Sequence, residues 1–166
     1  MPVNTSEKQM LLENSIRAIM LELTNDLKDF NFEYSVEEYD KISNCFKISM
    51  NTLGLKRSEV DRPNFDRITF YLYPSSLMNT IAISINNISK VDEDFKNYLI
   101  VINEANSTSI NGFYYIQNNW IRYNSTLKIK NIENSISKDD LFSEIALLVI
   151  SLDRIYLMLA KKINNE

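Results

Sequence analysis

The chain is expected to fold as an α+β domain, a twisted antiparallel sheet with helices packed on one face, in the order α-β-β-β-(β)-α-β-β-α. Three observations lead there. Apolar residues recur at helical spacing near each end and once more between Asp92 and Asn106. Between those segments the apolar period drops to two, as in strands with one buried face. No internal repeat, linker or shift in composition divides the 166 residues, so a single domain spanning 1–166 is expected, long enough to bury a core.

The first helix opens near Ser6, which has capping-box spacing to Gln9. Leu12, Ile16, Ile19, Met20, Leu23, Leu27 and Phe30 follow as one apolar stripe. Glu7, Lys8, Glu13, Arg17 and Asp26 are expected to face water, and the helix to end near Asp29 or Phe30. Phe32, Tyr34 and Val36 then alternate with Glu33, Ser35 and Glu37, a short edge strand in which Glu37-Glu38 guards against stray pairing. Phe46, Ile48 and Met50 form a second strand. A polar stretch from Thr52 to Asp66 follows, long enough to act as a flap. Ile68, Phe70 and Leu72 then alternate with Thr69, Tyr71 and Tyr73, and Pro74-Ser75-Ser76 is expected to break that strand. Ile81, Ile83 and Ile85 mark a fourth.

In the central helix Phe95, Tyr98, Leu99, Ile102 and Ala105 share a face, with Asp92, Glu93 and Asp94 expected in its first turn, where the helix dipole favours them. A hairpin follows: Phe113 to Ile116, a turn at Asn118-Asn119, and a strand from Trp120 to Lys130. In that second strand Ile121, Tyr123, Leu127 and Ile129 oppose Arg122, Asn124, Thr126, Lys128 and Lys130, which fits a sheet with one face left open. The last helix starts at Ser137, with capping spacing to Asp140, and runs to about Ile163. Its segment Ile145–Ile150 is apolar all round, so the helix is either packed on several sides or covered by another subunit.

Composition narrows the chemistry. With 18 basic and 22 acidic residues the net charge is -4, and Lys56-Arg57 and Lys161-Lys162 are the densest basic runs, so no nucleic-acid partner is expected. No apolar run is long enough to span a bilayer, and Met1–Glu7 lacks the pattern of a signal peptide. A cytoplasmic protein without a membrane partner is expected, and the lone Cys45 fits a reducing compartment. The chain has no histidine, which excludes a Ser-His-Asp triad, a Cys-His pair and histidine-based zinc sites. Two glycines, Gly54 and Gly112, cannot build a phosphate loop. Cys45, beside the strand residue Phe46, reads as structural. The acidic pairs Glu37-Glu38, Asp92-Glu93-Asp94 and Asp139-Asp140 have edge or helix-terminal roles. No catalytic residues, cofactor or metal ligands are therefore expected. The 21 Asn and 21 Ile reflect a coding sequence rich in A and T before they reflect function.

A helix ending Ile102-Asn103-Glu104-Ala105-Asn106, a turn of small residues, Gly112-Phe113-Tyr114-Tyr115 and a second strand resemble the YbjN family, over roughly Phe95 to Ile163. That family's fold is similar to the chaperones of type III secretion. The resemblance implies a small cytoplasmic binding protein of chaperone type, of a kind that dimerises and holds an extended client segment along its sheet and helices. By elimination and by resemblance, the expected function is to bind another polypeptide as chaperone or adaptor, with a homodimer compatible, and not to catalyse a reaction. Tyr71, Tyr73, Tyr114, Trp120 and Arg122, expected on the outer sheet face, are the candidate contact residues; filling the core rim is the alternative for the aromatics. Two rival readings are a domain sensing a small ligand beneath the Thr52–Asp66 stretch, and an enzyme that uses carboxylates converging on a metal.

Overall fold

The computed structural model describes residues 4–51, 67–109, 111–130 and 136–163. Helix α1 (Thr5–Asp26) is capped by Asn4, whose side chain accepts the Ser6 N–H at 3.4 Å. The cap thus lies two residues ahead of the expected Ser6. Past Asp26 the chain tightens into one 3-10 turn, Lys28–Phe30, which ends on Asn31 in the left-handed region (φ 49°). The α-helix proper therefore stops short of Asp29, although Phe30 still packs against the core. The predicted stripe is buried. Glu13 is not where its charge would place it: it is buried together with Gln9, both continuing the stripe toward the helix start.

Among the described residues six strands form one sheet in the order β1-β2-β3-β4-β6-β5, every neighbouring pair antiparallel: β1 (Glu33–Glu38), β2 (Asn44–Asn51), β3 (Arg67–Ser75), β4 (Thr80–Lys90), β5 (Gly112–Gln117) and β6 (Trp120–Lys128). The fourth strand is therefore real, and the α+β class and element order stand as predicted. Alternation holds in each strand: Ile48, Phe70, Ile85, Tyr123 and Tyr114 turn inward, as do Phe46, Leu72 and Ile83. Pro74 does not break β3, which continues to Ser75. The ladder to β2 ends at Leu72, so at Pro74 the strand pairs with β4 alone. A missing N–H is tolerated where one side of a strand has no partner.

Asparagine does the backbone work that glycine usually does. Among the described residues the positive-φ positions outside glycine are Asn31, Asn79, Asn118 and Asn119. The last two, at 53° and 61°, give the β5–β6 hairpin two consecutive left-handed residues, the twist-matched two-residue turn. Asparagine adopts this region more cheaply than most residues with a Cβ. Gly112 is required for a different reason. A Cβ there would lie 2.2 Å from the Tyr123 hydroxyl and 2.7 Å from the Asn124 carbonyl oxygen.

Helix α2 (Phe95–Ser107) carries the chain from β4 to the far edge, and α3 (Lys138–Ile163) returns across the sheet. The acids Asp92, Glu93 and Asp94 precede α2 rather than forming its first turn. Asp92 instead accepts the Asp94 N–H at 2.9 Å, and Asp94 accepts from the Asn97 side chain. The buried face of α2 is Tyr98, Val101, Ile102 and Ala105, whereas Phe95 and Leu99 are exposed. The expected stripe was rotated because Val101, next to Ile102, takes the inward position. Ser137 caps α3 as predicted, accepting the Asp140 N–H at 3.1 Å. The start of α3 is tied to α1 by Lys138, which pairs with Glu22 (3.1 Å) and Asp26, and by the Ile136 N–H on Ser15 Oγ (3.3 Å). Within Ile145–Ile150, Ile145, Leu148 and Val149 are buried, but Leu147 and Ile150 are 41% and 54% exposed. The described elements thus leave one apolar face of α3 bare and do not pack it on several sides.

Candidate functional site: the outer face of the sheet

All three helices bury their apolar residues in the one core formed with the inward-facing strand positions, so the opposite face of the sheet carries no described helix. Strand register places its side chains in rows. One row runs Lys47, Tyr71, Ser84, Asn124, Phe113; a second runs Tyr73, Ala82, Thr126; a third pairs Arg122 with Tyr115. Small and polar residues thus floor the middle of the face along β4 and β6, with aromatics on either side. Tyr71 and Tyr73 stack at 6.2 Å on the β3 side, and Tyr39 closes edge-on against Tyr73 at 4.9 Å. On the β5 side Phe113 and Tyr115 lie 5.6 Å apart. Three strand spacings separate these two walls, about 14 Å.

This face is partly dry, and Lys47 and Arg122 give its rows positive charge. Burial pushes the Tyr73 phenol up, against the pull of its hydrogen bond with Ser84. Burial also pushes the Cys45 thiol up, with Glu37 adding to the effect, so the thiol is held protonated and unreactive. Arg122 keeps its Nε buried without a hydrogen-bond partner. A buried donor left open is costly.

Of the five predicted contact residues, the structure groups Tyr71 and Tyr73 on β3, and Trp120 and Arg122 on β6, on this face. Tyr114 is a correction. It does oppose Phe113 and Tyr115, but it turns inward, is 2% exposed, and bonds Ser151 of α3 through its hydroxyl. Burial raises its phenol far above the ordinary tyrosine value. Alternation alone could not say which side of a short edge strand the helices would cover.

Neither edge of the sheet is open in the same way. At β1 the exposed side chains of Glu33, Glu37 and Glu38 guard the edge, as expected. The β5 edge has no charge and no proline, and it is closed by side chains from the end of α2. Asn106 Nδ2 donates to the Tyr114 carbonyl at 2.9 Å while its Oδ1 accepts the Tyr114 N–H at 2.7 Å. One carboxamide thus replaces a neighbouring peptide. Ser109 Oγ does the same for Gly112, donating to its carbonyl at 2.6 Å and accepting from its N–H at 3.4 Å.

Sequence reasoning also missed a buried polar cluster. Glu13 accepts from Gln9 Nε2 (2.9 Å), from the Asn44 N–H (2.9 Å) and from Asn44 Nδ2 (2.8 Å). Gln9 in turn donates to the Pro74 carbonyl (2.9 Å) and accepts the Ser76 N–H (2.8 Å). The signal was present: positions 9 and 13 fall on the spacing of Leu12, Ile16 and Met20. The cluster fixes α1 to the start of β2 and to the β3–β4 turn.

Two concavities are lined by described residues, the first on the helix side of the sheet and the second where two strands part. One, about 220 Å³, lies between the end of α2 and α3 and includes Asn111, Glu144 and Arg154. Burial pushes the Glu144 carboxyl up, opposed by a 2.9 Å hydrogen bond from Asn111. The other, about 590 Å³, opens between β3 and β4. The Thr52–Asp66 stretch and the Lys56-Arg57 pair lie outside the described residues. Among the described residues no three acidic or cysteine side chains converge as metal ligands, and no helix is long and apolar enough to cross a membrane. No protein-family profile, curated protein or solved structure matches the chain.

Proposed function

We propose that this chain is a non-catalytic binding domain, a chaperone or adaptor, which holds an extended segment of another polypeptide across the outer face of its sheet. The observation that carries the reading is the face itself: two aromatic walls, a floor of Ser84, Ala82 and Asn124, and Arg122 paired across the strands with Tyr115. Tyrosine, tryptophan and arginine are the residues that most often dominate the energetics of protein interfaces. Extended chain fits the space, since the walls stand about three strand spacings apart and one strand takes about 4.8 Å of that width. The resemblance of the helix–turn–hairpin segment to the YbjN family, and through it to secretion chaperones, points the same way, as an argument from analogy. Self-association is part of the same reading, with the bare α3 residues Leu147, Ile150 and Leu157 as its surface.

The test is quantitative co-purification from the native host with four baits: the natural chain, Tyr71→Ala, Ser84→Arg and Ile150→Glu, each checked for folding by circular dichroism. The proposal expects one stoichiometric polypeptide with the natural chain, lost with Tyr71→Ala and Ser84→Arg. Light scattering is expected to report a dimer that Ile150→Glu dissociates. A partner retained by both sheet variants, or no partner at all, overturns the assignment to this face.

A further inference from the structure

The sheet is not continuous. The ladder between β3 and β4 runs from Ser75↔Thr80 to Tyr71↔Ser84 and stops there. Beyond that point β3 pairs only with β2, down to Arg67, while β4 passes through an irregularity between Ile85 and Ser89 and then pairs only with β6. Two extra residues on β4 span the step that Tyr123 to Ile121 makes on β6, which keeps Ile85 and Ile88 both directed to the core. The strands part, and the space between them is the 590 Å³ cleft. That volume is in the range of sites for small organic ligands.

Its lining is strongly asymmetric. Ile68, Ile85, Ile88 and Leu152 make an apolar floor, and Trp120 stands at the side. Lys90 and Arg67 line the mouth, and among the described residues no acidic one lines the cleft. Arg67 is already engaged, donating to Glu33 (2.6 Å) and to the Asn31 carbonyl (2.9 Å). Lys90 is exposed and has no acidic partner among the described residues, so it is the free cation of the site. The Asn86 and Asn87 carboxamides add polar groups on the β4 wall.

We propose that this cleft binds a small amphiphilic carboxylate, its apolar body on the isoleucine and leucine floor beside Trp120 and its head group at Lys90. The assignment goes beyond polypeptide binding on the outer face, with which the cleft shares Tyr71 and Trp120 as lining residues. An apolar floor excludes a compact polar anion as the preferred ligand, because nothing there would replace that ion's water. A cation without a carboxylate neighbour excludes an amine, which would meet like charge.

Trp120 is the only tryptophan of the chain, so its emission reports on the cleft directly. The experiment titrates the purified full chain with decanoate, then with decanol, and follows tryptophan fluorescence. The expected result is a saturable spectral shift with decanoate and roughly fivefold weaker binding of decanol, the worth of one partly exposed ion pair. Lys90→Gln is expected to weaken decanoate to the level of decanol and to leave decanol unchanged. Phe113→Ala, on the outer face and outside the cleft, is expected to leave both titrations unchanged, which separates decanoate binding from the β5 wall of the polypeptide surface. No saturable shift, equal affinity for the two ligands, or a Lys90→Gln titration identical to the natural chain overturns the proposal.

Discussion

Removing the Asn106 carboxamide tests how this sheet ends. In Asn106→Ala the Tyr114 N–H and carbonyl lose partners at 2.7 and 2.9 Å, both partly buried. A typical intramolecular hydrogen bond contributes about 0.5–1.5 kcal/mol net, so the pair is worth about 1–3 kcal/mol. With a urea m-value of about 2 kcal/mol/M for a domain of this size, a loss of about 2 kcal/mol lowers the unfolding midpoint by about 1 M. Asn106→Asp separates geometry from chemistry: the carboxylate can still accept the Tyr114 N–H, but its second oxygen faces the Tyr114 carbonyl. It is expected to be no more stable than Asn106→Ala at neutral pH. Because β5 has neither charge nor proline, loss of the cap also exposes an edge that can pair with another chain. Concentration-dependent association by light scattering should therefore accompany the stability loss. An Asn106→Ala protein within about 0.5 kcal/mol of the natural chain, and equally monodisperse, would refute the idea that Asn106 closes the sheet.

Glu13→Ala removes the acceptor of one buried and two part-buried N–H groups, while Gln9 Nε2 keeps the Pro74 carbonyl, and is expected to cost about 2–4 kcal/mol in denaturant unfolding, with Glu13→Gln recovering part of that. Gly112→Ala forces a Cβ against the Tyr123 hydroxyl (2.2 Å), its ring carbon (2.3 Å) and the Asn124 carbonyl oxygen, and should destabilise by at least about 2 kcal/mol. Tyr123→Phe should not rescue it, because the ring carbon remains; rescue would show that the hydroxyl alone sets the need for glycine. The raised phenol of Tyr114 means the folded chain holds this proton more tightly than the unfolded one. Stability is therefore full below the ordinary tyrosine value of 10.0 and falls as pH rises above it. Urea unfolding at neutral pH and at about pH 11 should show a loss that is smaller in Tyr114→Phe than in the natural chain.

Much of this fold was legible because its signals are local. Period-two runs such as Phe46-Ile48-Met50 and Ile81-Ile83-Ile85 fix both strand and face, and Asn118-Asn119 between two such runs specifies a hairpin. What misled were residues whose place depends on partners distant in sequence. Glu13 looks like a surface charge until Asn44, 31 residues on, supplies two donors. Pro74 looks like a stop until the ladder on one side of β3 is known to have ended. Phe95 and Leu99 fit the helical period equally well with either of two faces inward, and only the packing of α2 on α3 and β5 decides between them. For the candidate site, the alternation of Tyr71 and Tyr73 was readable, whereas the inward turn of Tyr114 required knowing where Ser151 lies.

The way the edges are closed bears on how a client would be recognised. Strand addition at an edge reads mainly backbone, and here Glu33, Glu37 and Glu38 guard one edge while Asn106 and Ser109 occupy the other. With both edges guarded, the proposed client would draw its affinity from side chains on the outer face. Tyr71, Tyr73, Tyr115 and Phe113 offer large contact area at low conformational cost. Binding of that kind selects for the spacing of apolar residues in the client more than for its ability to form a strand. A client peptide with proline introduced between its apolar anchors should therefore bind the natural chain as well as the unmodified peptide does, because no ladder hydrogen bond is lost. A loss of about tenfold or more on such substitution would mean that the backbone is being paired after all, and would move the contact from the face to an edge.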